Sequence, residues 1–331
     1  MNVKLIFRKP RPSYFSIEGL FKNIMAHFDH TVDAVKWECP NLSSGLIKRL
    51  GNVMAVRRVL ADVYHITGDI HYLAMALPKK ATILTVHDAA VLGRLSGIRR
   101  LIYKFFWFDW PMRSVALVTV ISEATRQHLL ANTKICPEKI RVIPDCISET
   151  FTPKPRDFNQ ARPLILQIGT KTNKNIERVA EALRGLSCEL RIIGKLTKEQ
   201  VASLERSEVA YSSASNLSEE ELVREYQNCD ILIFASLIEG FGMPILEAQV
   251  TGRVVVTSNC SSMPEVAGSG ACFVDPSKVQ SIQAGLLRVI EDEAYRNLLI
   301  NRGYENARRF SVSIVAKQYA ILYAELARSV S

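Results

Sequence analysis

The sequence predicts an α/β chain of two Rossmann-like, doubly wound domains. Three observations carry this. At 331 residues the chain exceeds the roughly 100–200 residues of an ordinary domain, so two domains are expected. Short, continuously apolar runs alternate with helical patterns from one end to the other, the mark of parallel strands buried on both faces. A stretch with little periodicity, residues 144–163, carries Pro144, Pro153, Pro155 and Pro163 and divides the alternation in two.

Taken in order, residues 3–7 read as a strand. Ile17, Leu20, Phe21, Ile24, Met25 and Phe28 then recur at helical spacing. Further strands are expected at 63–66, 82–86, 115–121 and 140–143. After the proline-bearing stretch they resume at 164–168, 190–193, 231–235, 254–257 and 271–274, with helices between. Residues 311–330 hold Ile314, Val315, Tyr319, Ile321 and Leu322 in helical pattern. This last helix is expected to cross back to the N-terminal domain. The expected division is therefore 1–150, with part of 311–331, and 151–310. Ligands of such sheets bind beyond the carboxyl ends of the strands, so two such domains facing a cleft would hold a site there.

Composition narrows the function. Hydrophobic residues make up 48% and charged residues 23%, as in a globular chain with a sizeable core. The longest apolar runs, 115–121 and 231–238, fall short of the roughly 20 residues a membrane span needs. The opening MNVKLIFRKP lacks the apolar core of a secretory signal. Seven scattered cysteines form no C-x-x-C pair and read as reduced core thiols of a cytoplasmic protein. The net charge of +9 lies wholly in residues 1–150, where 21 Lys and Arg face 12 Asp and Glu. Such asymmetry suits an anionic partner: nucleic acid, a phosphorylated substrate or acidic lipid. Neutral drift in surface composition would leave the same trace. No nucleic-acid module is present.

Residues 97–110 set Arg99, Arg100 and Lys104 among Tyr103, Phe105, Phe106, Trp107, Phe108 and Trp110. Such a helix could lie in a bilayer interface on the inner face of the membrane or pack its aromatics into the core. Residues 46–60 are likewise basic and apolar, with Lys48, Arg49, Arg57 and Arg58.

The segment richest in chemistry is S-L-I-E-G-F-G-M-P-I-L-E-A, residues 236–248, directly after a strand. Gly240 and Gly242 let backbone approach a ligand closely. Pro244 suits a first helical turn. A glycine-rich turn entering a helix presents unpaired N–H groups and a positive dipole end, a seat for a diphosphate. Glu239 and Glu247 bracket this turn. Carboxylates do not bind phosphate, but they accept hydrogen bonds from hydroxyls of a sugar or ribose held beside it.

This E-x7-E arrangement resembles the family 4 (group 1) retaining glycosyltransferases, which have the GT-B fold. I-G-T-K-T-N-K-N, residues 168–175, is similar to the family's G-T-x-x-x-K-N loop. T-S-N-C-S-S-M-P-E-V-A-G (257–268) and V-D-P (274–276) also resemble family segments, as do T-V-H-D (85–88), V-I-S (120–122) and V-I-P (142–144) in the first half.

The resemblance implies a hexosyltransferase moving a sugar from a nucleotide-diphosphate sugar to a hydroxyl of a glycan or lipid-linked acceptor, with retention, in cell-envelope polysaccharide synthesis. Glu247 would bind the donor ribose and Glu239 the donor sugar. Backbone of Gly240, Phe241, Gly242 and Met243 would hold sugar and phosphate. Gly169, Thr170, Lys171 and Gly194 would line the donor pocket, and His87 would lie near the transferring sugar. Lys174 would neutralise the departing diphosphate, where a fixed ammonium is worth most with water excluded. No metal or cofactor is expected, and no nucleic-acid partner.

The sequence departs from the family at three places. Thr170 stands where many relatives carry arginine. The loop R-P-S-Y-F-S-I-E, residues 11–18, replaces a Gly-Gly loop. Asp145-Cys146 replaces the usual Asn-Gly. His65, after a strand, could touch ligand or serve only the fold; Lys195 could approach the nucleotide or simply be exposed; Glu265 could cap or position a loop. A nucleotide-sugar epimerase, a phosphorylase and a non-catalytic sugar- or lipid-binding subunit are alternatives. A dehydrogenase is disfavoured because no G-x-G-x-x-G follows the first strand.

Overall fold

The computed structural model describes residues 1–10, 16–88 and 96–330. The loop at 11–18 therefore lies largely outside the described residues. The chain divides into two compact units, Met1–Cys146 with Val312–Ser331, and Ile147–Ser311.

The first unit is built on a parallel sheet of β1 (Asn2–Phe7), β2 (Asp33–Glu38), β3 (Val63–Ile66), β4 (Thr82–Val86), β5 (Leu117–Val120) and β6 (Ile140–Val142), in the order β2-β1-β3-β4-β5-β6. The central strands β3 and β4 are buried at every position, as their apolar runs require. The helix Val312–Val330 packs on this sheet's unit: Val315, Tyr319, Leu322 and Tyr323 join Val3, Leu5, Phe21 and Ile83 in one core. Its outward Ile314 and Ile321 stay exposed.

The second unit holds β7 (Leu164–Ile168), β8 (Glu189–Ile193), β9 (Tyr211–Ala214), β10 (Ile231–Phe234), β11 (Val254–Ser258) and β12 (Cys272–Val274), all parallel, in the order β12-β11-β10-β7-β8-β9. This is the doubly wound order, running outward from its first strand in one direction and from its fourth in the other. The proline-bearing stretch is tied down against this unit. Asp230 accepts from Leu164 N at 2.8 Å and faces Arg156 at 3.5 Å, while Ile147 and Phe151 are buried.

Two strands were absent from the sequence expectation, β2 and β9. Both are sheet edges. β2 (DAVKWE) is mostly exposed and β9 (YSSA) has almost no apolar content, so neither shows the continuous apolar run of a central strand. Five of the seven cysteines are buried, but Cys136 is exposed and Cys260 partly so, which corrects the reading of all seven as core thiols. Among the described residues no helix is long and apolar enough to cross a membrane.

Candidate active site

Strands β7 and β10 are neighbours, yet the chain leaves them toward opposite halves of the sheet. A crevice opens where such loops part, at the carboxyl ends of the two strands. The two loops that emerge there are the G-T-x-x-x-K-N loop and the E-G-F-G turn. They are stapled together: Leu237 N donates to Asn173 O at 2.8 Å, and Asn173 Nδ2 donates to Ile238 O at 2.9 Å.

Lys174 ends this loop. Its Nζ donates to Glu239 Oε1 at 2.7 Å and lies 4.3 Å from the centre of the Phe234 ring. Asn173 Nδ2 donates to the same carboxylate oxygen at 3.1 Å. The stem of Lys174 lies across Gly169, whose φ is +87°; a Cβ at Gly169 would meet Lys174 Cε at 2.9 Å. Gly169 is therefore needed both for its backbone conformation and for the room its hydrogen leaves to the lysine. Asn175, left-handed at φ 61°, donates through Nδ2 to Ala235 O and Pro276 O at 3.0 and 2.8 Å, which closes the loop against two neighbouring turns.

The turn after β10 is equally constrained. Gly242, at φ +129°, precedes the helix Met243–Thr251, which carries Pro244 in its first turn. Ser261 Oγ donates to Glu239 O at 2.7 Å and accepts from Glu239 N at 3.2 Å. Ser262 Oγ donates to Phe241 O at 2.5 Å, and Phe241 is buried edge-on against Phe310. With its carbonyls held from behind, the turn keeps the first amides of the helix directed at one place, where they and the dipole favour an anion.

Glu247 lies just over one turn into that helix. Tyr226 OH, from the helix Glu219–Asn228, donates to Glu247 Oε2 at 2.5 Å. Burial pushes the Glu247 carboxyl up to about 7, opposed by the Tyr226 hydrogen bond; Glu219 raises it further and Lys174 lowers it. The side chain keeps part of its surface open to solvent even though its carboxyl is hemmed in.

The remaining expected residues fall into two sets. Thr170 and Gly194 are in contact: a Cβ at Gly194 would meet the Thr170 methyl at 2.7 Å, and Thr170 Oγ1 donates to Lys195 O at 2.8 Å. Thr170 thus braces the loop and supplies no charge. Lys171 and Lys195 are exposed. His87 belongs to the other unit, at the end of β4. Its Nε2–H donates to Thr67 O at 2.9 Å, and its Nδ1 lies 3.7 Å from Asp145 Oδ1, whose carboxyl burial holds above the usual range. The departure at Asp145 thus places an acid beside His87. His65 is a core residue, fully buried, with Nδ1 2.6 Å from Tyr323 OH and Nε2 2.6 Å from Thr85 Oγ1. Sequence reasoning missed Asn173, Ser261, Ser262 and Tyr226. The two serines lay within a segment singled out as family-like, whereas Tyr226 reads as an ordinary core aromatic on its helix.

A crevice at the switch point, an anion-favouring helix start and two flanking carboxylates thus meet within one unit. Comparison with known proteins gives the family. The group 1 glycosyl transferase model matches residues 148–306, and the glycosyltransferase family 4 model matches residues 5–151. The chain belongs to the family 4 glycosyltransferases, enzymes of the GT-B fold. It is 39% identical over 282 residues to O-antigen chain mannosyltransferase B of Escherichia coli, covering 78% of this chain and 72% of that one. It is 28% identical over 304 residues to MMP alpha-(1->4)-mannosyltransferase of Mycolicibacterium hassiacum, covering 83% and 73%. Among solved structures, sucrose-phosphate synthase of Thermosynechococcus elongatus superposes with a TM-score of 0.78 at 17% identity over the whole of both chains. Anabaena Alr3699/HepE, solved with UDP and glucose, gives 0.78 at 15% identity over 97% of this chain and 99% of that one.

Proposed function

We propose that the protein transfers a hexose, mannose by its relatives, from a nucleoside diphosphate sugar to a hydroxyl of a lipid-linked glycan, with retention at the anomeric carbon, in cell-envelope polysaccharide synthesis. The observation that carries this reading is the convergence at the β7/β10 switch point. Lys174, Glu239 and the start of the helix Met243–Thr251 meet there.

Breaking the bond from the anomeric carbon to the diphosphate leaves negative charge on the phosphate oxygen. The ammonium of Lys174 and the helix amides stand where that charge develops. Glu239, held by Lys174 and Asn173, takes hydrogen bonds from the sugar hydroxyls. Glu247 receives the ribose hydroxyls. His87 and Asp145, from the N-terminal unit, serve the acceptor side. The acceptor hydroxyl attacks from the face that the diphosphate leaves, through an oxocarbenium-like state, and its proton passes to the departing phosphate. An acceptor on a lipid carrier would be presented at a membrane surface, where the basic first half suits an anionic leaflet.

The experiment is a panel of nucleoside diphosphate sugars incubated with an undecaprenyl-linked glycan acceptor, with product analysis by mass spectrometry and NMR. One donor is expected to give a product of retained configuration. Absence of transfer and of nucleotide binding across the panel would overturn the reading.

Tyr226→Phe offers a narrower check. Losing the hydrogen bond that favours the charged form raises the Glu247 pKa above about 7. Donor KM at pH 7 should rise roughly 3–10-fold, the worth of one hydrogen bond to a charged group, and recover toward wild type at higher pH with kcat little changed. A KM that stays raised at all pH values would make Tyr226 merely structural.

A further inference from the structure

Two adjacent helices of the first unit turn apolar side chains outward. In the helix Leu46–Val56 these are Leu46 (73% exposed), Ile47 (86%), Leu50 and Met54. In the run formed by Gly97–Lys104, Phe105–Asp109 and Trp110–Arg113 they are Ile98, Leu101, Ile102, Phe105, Phe106 and Trp110. The opposite face of that run fills the core through Phe108 and Met112, with Tyr103 and Trp107 packed against it. The aromatics of this run thus divide between a core-packed face and an exposed one. The two helices are linked by Arg49, whose guanidinium lies 4.8 Å from the centre of the Trp107 ring.

The outer surface has its own order. The stretch Phe105–Asp109 is a π-helical turn, a wide turn that often marks functional sites. Beside it the rings of Phe105, Phe106 and Trp110 cluster, with centroids 5.1 to 5.9 Å apart, while remaining exposed. A contiguous patch of this kind on a single chain marks an interaction surface.

Charge identifies the occupant. Residues 43–61 contain four basic side chains and no acidic one. Residues 97–113 contain four basic side chains and one acidic, Asp109, which lies 3.7 Å from Lys104 Nζ. Exposed Lys48, Arg99 and Arg113 belong to the same two helical segments as the apolar side chains, and exposed Arg57 and Arg58 follow directly after Val56. A second copy of the chain would bring the same cations face to face, and like charges across an interface oppose association. An anionic bilayer supplies both an apolar layer and negative headgroups, and neither helix is of a length and hydropathy to span it.

The geometry points to these two helices as a docking surface for an anionic lipid bilayer, with Phe105, Phe106, Trp110, Leu46 and Ile47 entering the acyl boundary and the lysines and arginines meeting lipid phosphates. It deepens the reading of a membrane-borne acceptor and rests on that reading only for its purpose. The contact itself needs neither donor nor acceptor.

The test is co-sedimentation of the full chain with vesicles of phosphatidylcholine alone and of phosphatidylcholine with about one third phosphatidylglycerol. Wild type is expected on the anionic vesicles only, released by salt. Phe105→Ser/Phe106→Ser should lose at least tenfold in partition. Lys48→Glu/Arg57→Glu/Arg58→Glu should lose about 100-fold or more, each cation near an anionic surface counting roughly fivefold. Nucleotide binding, measured by calorimetry without vesicles, should be unchanged in both variants, and circular dichroism with a melting curve certifies the folding of the first unit, which carries the substitutions. Equal binding to both vesicle types, or anionic binding untouched by both variants, overturns the docking surface. So does a dimer in solution that Phe105→Ser/Phe106→Ser abolishes. If vesicle binding fails while nucleotide binding holds, only the docking surface falls. If nucleotide binding fails while vesicle binding holds, the transfer reading falls instead.

Discussion

Lys174→Met is expected to lower kcat by about 10²–10³-fold, the usual loss on removing one preorganised group that stabilises developing charge. Methionine is chosen because it keeps an apolar stem across Gly169 and beneath the Phe234 ring, where the lysine stem and ammonium now lie. The variant removes the charge and little else. Glu239 keeps its hydrogen bond from Asn173, so the carboxylate stays in place. Loss of the ion pair destabilises the fold less than for a fully buried pair, since both side chains retain some solvent. Donor KM should change much less than kcat, because the charge matters most once the bond to the sugar has broken. Circular dichroism and a melting curve establish that the variant is folded. A kcat within threefold of wild type would mean that the leaving diphosphate is neutralised elsewhere.

The second large effect concerns Glu247 and pH. Its carboxyl titrates at about 7 in the folded protein, above its ordinary range. A raised carboxyl pKa stabilises the fold below the unfolded value, and that contribution is lost as pH rises through the folded one. The protein without ligand should therefore lose stability between about pH 4.5 and pH 7, and Glu247→Gln should flatten that slope. Nucleotide binding runs the other way. Ribose hydroxyls donate to the ionised carboxylate, so affinity should fall about tenfold per pH unit below 7 as the group is protonated. Glu247→Gln should weaken binding by roughly 10–100-fold at pH 8, as expected on losing hydrogen bonds to a charged group, and leave little pH dependence. Calorimetry in buffers of different ionisation enthalpy reads the proton released on binding near pH 6. Wild-type affinity flat from pH 5.5 to 8 would remove Glu247 from the ribose site.

The parts of this molecule legible in its sequence are those where burial writes a pattern. Central strands such as β4 and β10 are continuous apolar runs, and their bounds agree with the structure to within a residue or so. The edges β2 and β9 were not legible, because a strand with one neighbour and a wet face has no reason to be apolar. The site was legible as two motifs. Their meeting depends on β7 and β10 being neighbours, and pairing between strands 63 residues or more apart leaves no mark in local composition. Once the strand order is known, the contact of Lys174 with Glu239 follows from the loops that those two strands carry. Tyr226 and Asp145 were illegible for another reason: each acts through one partner brought to it by tertiary packing. His65 shows the converse. A histidine after a strand is an ambiguous signal, and its burial between Tyr323 and Thr85 resolves it as core.

The proposed function requires a nucleoside diphosphate to dock against the amides that open the helix Met243–Thr251, between Glu239 and Glu247. A crystal structure of the protein with the nucleoside diphosphate of its donor tests this most directly. The terminal phosphate is expected on the backbone N–H groups of Gly242 and Met243, within reach of Lys174 Nζ, with both ribose hydroxyls on Glu247. A nucleotide bound away from the β7/β10 switch point, or a ribose turned from Glu247, would contradict it.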